Sequence, residues 1–323
     1  MLPTLSRRSL LALAGGATLL LADGGRVWAK APMLGGQAQI FYRFKLGDAE
    51  CTIVTDGALA LGEPSASFKG ITKDEIGKML TDNFMPTDNV VLEQNILVVN
   101  NGDKLMVFDT GMGTSKAFGK TTGQLVASLK AAGIQPEQVD AIVCSHAHID
   151  HIGGIAGADG VSLFPNAQIY LQQVDFDYWT DEAKLNSPAK VFIEHARLNL
   201  MKSRDRIVFY KDGQEILPGV VAIAAPGHTV GHTIFMISSG KEQLAYIADL
   251  SHHPILLLEK PLIEFSFDTD PKQAAQTRVK LLDMLAAQKV QILAYHYAWP
   301  GLGHVSKTAE GFHYIASPMH VTL

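Results

Sequence analysis

Six consecutive residues, His146-Ala147-His148-Ile149-Asp150-His151, hold four side chains able to bind a metal ion. The apolar segment 139–145 runs directly into them and reads as a buried strand. In an extended continuation of that strand, side chains at i and i+2 project the same way, so His146 and His148 can meet one ion. Ile152-Gly153-Gly154 then turns the chain, which lets Asp150 and His151 aim at a neighbouring ion. Four such groups in an apolar setting are costly unless a partner satisfies them. Further donors close apolar segments downstream. His228 follows 220–225, within Pro226-Gly227-His228-Thr229-Val230-Gly231-His232-Thr233; Asp249 follows 243–248; His296 follows 290–295. Donors that each end a strand gather at one edge of a stacked-sheet core. The chemistry on offer is that of bound divalent cations.

The elements that must position these groups are legible as hairpins and helices. Segments 40–46 and 51–56 alternate apolar and polar residues around Gly47-Asp48, and 96–100 and 104–108 flank Asn101-Gly102-Asp103. Both pairs predict hairpins. Residues 62–89, with Pro64 and Pro86, read as a long loop with a short helix near 74–80. Helical spacing covers 121–132 and stops at Gly133. It recurs over 172–183 and 188–201, and as an amphipathic run over 271–287 with a proline at its start. Strands are expected over 167–171, 220–225, 233–238, 243–248 and, last, 290–295. Hairpins outnumber strand-helix-strand units and helices are interspersed, a pattern of sheet layers covered by helices in an α/β chain.

The 323 residues are 47% hydrophobic and 18% charged, enough for a sizeable core and too apolar for disorder over most of the length. A net charge of −5 disfavours nucleic-acid binding. Two distant cysteines, Cys51 and Cys144, exclude a disulfide framework and a Cys-rich zinc ribbon. At the N-terminus Arg7-Arg8 precedes an apolar run over 10–22 that is short for a bilayer span, and Val27-Trp28-Ala29 fits a signal-peptidase site. The paired arginines resemble a twin-arginine signal. The expectation is a signal over 1–29, a single mature domain over 30–323, a periplasmic location and no stable membrane association after cleavage. Removal of 1–29 takes away Arg7, Arg8, Arg26 and Asp23 and brings the charge to about −7.

His-x-His-x-Asp-His, then Pro-Gly-His-Thr-x-Gly-His, then Ala-Asp, then a late His, resembles the metallo-β-lactamase superfamily, over about residues 40–310. The resemblance implies a four-layer αβ/βα sandwich with metals at one edge between two sheets. It implies two divalent ions, Zn²⁺ first, with Mn²⁺, Fe or Co²⁺ also suited to such donors. His146, His148 and His228 are then ligands of the first ion; Asp150, His151 and His296 hold the second; Asp249 bridges both. Asp109, in Phe108-Asp109-Thr110-Gly111, would orient a histidine ligand. His232 would hydrogen-bond locally, and His252 and His253 lie near enough to Asp249 to reach the mouth.

Having both His151 and Asp249 sets the chain apart from two lactamase classes, and a C-terminal tail with one lysine and no arginine sets it apart from glyoxalase-type thioesterases. Segments such as Phe164-Pro165-Asn166-Ala167 and Trp299-Pro300-Gly301-Leu302-Gly303-His304 are similar to the methyl parathion hydrolase family. That likeness implies a homodimer and an aromatic pocket at Phe118, Trp179 and Phe192. The substrate would be a small uncharged ester: an aryl phosphotriester, an aryl ester or a lactone. A metal-bridging hydroxide would attack it. Asp249 would be the shared carboxylate, and Asp150 can carry a proton while bound. The alternatives are a quorum-signal lactonase, a β-lactamase, or a periplasmic metal-binding protein without catalysis.

Overall fold

Hairpins open the first sheet. Phe41–Leu46 turns back on Ala49–Thr55, with Leu46 opposite Ala49, so Gly47-Asp48 is a two-residue loop. Asn95–Asn100 turns onto Leu105–Phe108 with Asn100 opposite Leu105. The computed structural model that shows these pairings describes Met33, Gly35 and residues 40–323. The signal expected over 1–29 lies outside the described residues. The chain divides into two units, Met1–Ala38 and Gln39–Leu323, and the second holds both large sheets.

The first seven-stranded sheet runs Phe41–Leu46, Ala49–Thr55, Asn95–Asn100, Leu105–Phe108, Ala141–Val143, Gln168–Gln172, Ile207–Tyr210. Its first four strands pair antiparallel; from Leu105–Phe108 onward the pairs are parallel. The second sheet, also of seven strands, runs Glu215–Leu217, Val220–Ala224, Thr233–Ser239, Glu242–Ala248, Gln291–Ala294, Leu302–Lys307, Phe312–Ala316. It is antiparallel except where Glu242–Ala248 meets Gln291–Ala294. Parallel neighbours bring their carboxyl ends to the same edge, so each sheet delivers several strand ends to one rim.

The inner faces of the two sheets meet through buried aromatic residues. Phe108 packs 5.7 Å from Phe235 and 5.5 Å from Tyr246, centroid to centroid. Burying one such side chain contributes about 1.5–3 kcal/mol. Outside, Leu125 and Leu129 of the helix Leu125–Ala131 pack with the first sheet, while Leu281, Leu282 and Leu285 of Pro271–Gln288 pack on Ile234, Ala245 and Ile247 of the second. The result is the expected four-layer αβ/βα sandwich. Among the described residues no helix is long and apolar enough to cross a membrane.

Several boundaries differ from expectation. The helix expected from 121 begins at Leu125; Gly123, at φ +80°, lies outside helical backbone. The short helix expected near 74–80 is present and slightly longer, Lys73–Asp82, started by a Thr72/Glu75 capping box. It is flanked by a small pairing of Leu59–Gly62 with Val90–Leu92. The strand expected to be last is followed by Leu302–Lys307 and Phe312–Ala316.

Candidate metal centre

Every donor named from the sequence follows a strand end at the shared rim. His146 leaves Ala141–Val143; His148, still extended at φ −72° and ψ 155°, caps the single turn Ile149–Ile152 that carries Asp150 and His151. From the other sheet come His228 after Val220–Ala224, Asp249 after Glu242–Ala248 and His296 after Gln291–Ala294. Asp109 and Ala248 hold positive φ, +61° and +42°, which costs non-glycine residues about 1–3 kcal/mol each. Both strained residues flank this rim, where the surrounding fold must enforce them.

Three overlapping groups of donors result among the described residues; two gather the residues named from the sequence, and the third is Asp249, His252 and His296. Ligand-competent atoms of His146, His148, His228 and Asp249 lie within 4.8 Å of one another, as do those of Asp150, His151 and His296. The Asp249 carboxylate divides between them. Its Oδ2 is 3.0 Å from His228 Nε2 and 3.6 Å from His146 Nε2, while Oδ1 is 3.2 Å from both His151 Nε2 and His296 Nε2. Asp150 Oδ2 stands 3.5 Å from His151 Nε2 and His296 Nε2.

The outward nitrogens explain why the inward ones point in. His151 Nδ1 donates to Asp109 Oδ2 at 2.8 Å, His228 Nδ1 to Asp268 Oδ1 at 2.8 Å, and His296 Nδ1 to the Glu93 carbonyl at 2.8 Å. Each bond fixes the tautomer that leaves Nε2 with a lone pair facing the centre. Asp109 is itself saturated by the Ser145 amide and hydroxyl and by the Tyr246 hydroxyl. The inward atoms lack comparable satisfaction: His151 Nε2 and Asp249 Oδ1 are buried without a hydrogen-bond partner. His148 Nδ1 and His228 Nε2 face each other at 2.9 Å, and His228 Nε2 faces His146 Nε2 at 3.2 Å. Buried lone pairs converging on common points are what a divalent cation resolves, so the donor set fits two ions.

The electrostatics agree. Burial, then the neighbouring imidazoles, push His146 and His148 well below the usual histidine range. For His228 burial opposes the charge, but Asp249 and Asp268 outweigh it and raise the group to about 9. Burial likewise opposes ionisation of Asp150, yet His151 and His296 hold its carboxyl below the carboxylate range.

Above the clusters opens a cleft lined by Leu59, Leu61, Leu92 and four phenylalanines, with His148, Asp150, His228, Asp249, His252 and His296 among its lining. Phe118 and Phe192 belong to this wall. Trp179 stands behind it, buried, edge-on to His148 at 4.7 Å and against Phe192 at 5.8 Å. His252 reaches the cleft with Nε2 2.9 Å from Asp249 Oδ2, whereas His253 accepts the Ile255 and Leu256 amides and turns to Phe68. His232 is local: it donates Nδ1–H to the Ala225 carbonyl and accepts the Asp249 amide. Cys144, directly after the strand Ala141–Val143, is buried.

Two carboxylates escaped the sequence reading. Asp268 lies in Phe267-Asp268-Thr269-Asp270-Pro271, which reads as a helix-start run; the cap role falls to Asp270 and leaves Asp268 to His228. Asp175 sits inside a helix, where its pattern signals nothing. It accepts the Ala147 amide and the Gly231 amide, both at 2.7 Å, and so ties the two histidine loops together.

A sequence profile described as "Metallo-beta-lactamase superfamily" matches residues 90–292. An N-acyl homoserine lactonase of Bacillus cereus is 26% identical over 179 residues, 55% of this chain and 60% of that protein. A second N-acyl homoserine lactonase, of Bacillus sp, is 31% identical over 118 residues, 36% of this chain and 40% of that protein. The chain thus spans less than two thirds of the length of these relatives. Among solved structures, AidC, a dizinc quorum-quenching lactonase in complex with a product, is 32% identical with a TM-score of 0.81, over 87% of this chain and 99% of that one. The hydrolase AbOPH is 29% identical with a TM-score of 0.82, over 88% and 100%.

Proposed function

From a chain that belongs to the metallo-β-lactamase superfamily, we infer a two-metal hydrolase of small uncharged esters, with lactones foremost and aryl esters and aryl phosphotriesters as further substrates. The observation that carries this reading is the cleft: an apolar wall standing directly over the two donor clusters, with no lysine or arginine among its lining residues. Such a wall favours a neutral acyl or aryl group. The lactonase relatives and AidC support the preference for lactones.

In this reading His146, His148 and His228 would hold one ion, Asp150, His151 and His296 the other, and Asp249 would serve both; Zn²⁺ suits the donors. Bound there, the ions would supply Lewis acidity and lower the pKa of coordinated water towards neutrality. The chain's own part is placement. Asp109 and Asp268 hold their histidines in one tautomer, and Tyr295 donates its hydroxyl to the Asp150 carbonyl at 2.6 Å, which fixes the turn that carries Asp150. The Asp150 side chain is 12% exposed against 2% for Asp249, and in this reading Asp150 would pass a proton to the leaving oxygen. Phe118 and Phe192 exclude water around the ester.

A rate panel with a γ-lactone carrying an acyl chain, an aryl acetate and a diethyl aryl phosphate, on protein of measured metal content, tests the assignment. Phe192→Ala should raise KM for the best of them by about ten-fold with metal content unchanged, since one aromatic contact contributes about 1–3 kcal/mol. Rapid cleavage of a β-lactam or a thioester, with all three neutral esters untouched, would overturn it. So would a fully metallated protein without hydrolytic activity.

We also propose that residues 1–29 direct export by the twin-arginine route and that 30–323 is the mature periplasmic domain, on the strength of Arg7-Arg8 and Val27-Trp28-Ala29. Intact-mass measurement of exported protein should find a chain starting near Lys30; a species retaining 1–29 in the membrane fraction would refute this.

A further inference from the structure

Asp56 lies at the end of the strand Ala49–Thr55 and is fully buried. Its carboxylate touches none of the seven proposed ligands. Instead it collects backbone amides from both ends of one loop. Oδ2 accepts Met112 N–H at 2.8 Å and Gly123 N–H at 2.9 Å, and Oδ1 accepts Leu125 N–H at 2.8 Å. Its own carbonyl accepts Gln124 N–H at 3.3 Å. The approach is tight: a Cβ on Gly111, which holds φ +70°, would lie 2.2 Å from Asp56 Cγ. Burial pushes this carboxyl up to about 6, against the pull of the three amides and of Lys116. Its oxygens satisfy donors that would otherwise be buried and unmatched.

The loop closed this way, residues 112–123, carries Phe118. The Phe118 carbonyl accepts Ala60 N–H at 2.8 Å, its ring meets Phe267 at 5.6 Å, and it forms part of the cleft wall. Taking the cleft as the ester site proposed above, we propose that Asp56 is a positioning residue for substrate: by clamping both ends of 112–123 it sets where Phe118 stands, and so governs binding of the apolar part of the ester without acting on the metal centre.

Asp56→Asn replaces one acceptor oxygen with an NH₂ group, which must face either the Met112 and Gly123 amides or the Leu125 amide. In the metal-loaded full chain this variant should keep two ions and a kcat within about three-fold of wild type. It should raise KM for an acyl γ-lactone by about ten-fold, the worth of one aromatic contact. Trypsin should cut the native protein faster at Lys116 or Lys120, both exposed in this loop. Phe118→Ala should give a similar KM, and Asp56→Asn added to it should raise KM less than two-fold further, because both changes remove the same contact. Should Asp56→Asn not accumulate as folded protein, hydrogen exchange of wild type decides the clamp: the amides of Met112, Gly123 and Leu125 should exchange far more slowly than those of residues 114–120. Unchanged KM in a folded Asp56→Asn protein, loss of metal together with activity, additive KM effects, or fast exchange at the three amides would each overturn the proposal. Cleavage and exchange are read without substrate. A wild type that hydrolyses nothing in the panel therefore defeats the ester reading and, with it, the substrate role, while the clamp is still scored separately.

Discussion

Asp249→Ala is expected to lower kcat/KM on the best neutral ester by about 10³-fold or more and to leave the chain unable to hold two ions. This one carboxylate faces His228 and His146 with Oδ2 and His151 and His296 with Oδ1. Its removal takes a donor and a negative charge from both clusters. Losing several kcal/mol of transition-state charge stabilisation corresponds to about three decades in rate. Elemental analysis after dialysis should give one ion per chain or fewer. Two ions and activity within ten-fold of wild type would show that Asp249 is dispensable and that the clusters are assigned wrongly.

His228→Ala should separate the two clusters. It deletes a donor from the group with His146 and His148 and leaves Asp150, His151, His296 and Asp249 in place. One ion should be lost while the other stays, with activity down by about 10²-fold or more. It also removes the hydrogen-bond partner of Asp268 Oδ1, while Oδ2 keeps the buried Arg278 guanidinium at 3.8 Å. The measurement is metal content at graded chelator concentrations: wild type should lose its ions in two steps, the variant in one. Simultaneous loss of both would mean that the ions form a single cooperative unit.

The donors were legible because their chemistry is dense in sequence and their spacing matches strand geometry. His146 and His148 stay extended over the i and i+2 positions, and the following residues turn as the paired glycines imply. His228, Asp249 and His296 were found because each ends an apolar run, a local signal of a rim. What stayed hidden depends on contacts between distant segments. Asp268 meets His228 across 40 positions, and nothing in an Asp-Thr-Asp-Pro run separates the carboxylate that caps a helix from the one that turns to a histidine. Asp56 meets Leu125 across 69 positions, in a stretch whose helical spacing invites an earlier start. Trp179 shows the converse: an aromatic residue in a helical pattern carries no mark of whether it forms the wall or stands behind it. The strand Leu302–Lys307 was hidden because Gly303 and the polar residues His304 and Ser306 leave little apolar run to read.

The donors sit on strand ends of the two sheets, whereas the wall comes from connections: the 59–92 segment, the 112–123 loop, the helices between Gln168–Gln172 and Ile207–Tyr210, and the stretch around Phe265 and Phe267. Inheritance can therefore act on the two separately. A lineage can exchange one connection and accept a longer chain or a different ring while the rim, and with it the reaction, is passed on intact. Relatives of such a protein would diverge in diet before they diverge in chemistry.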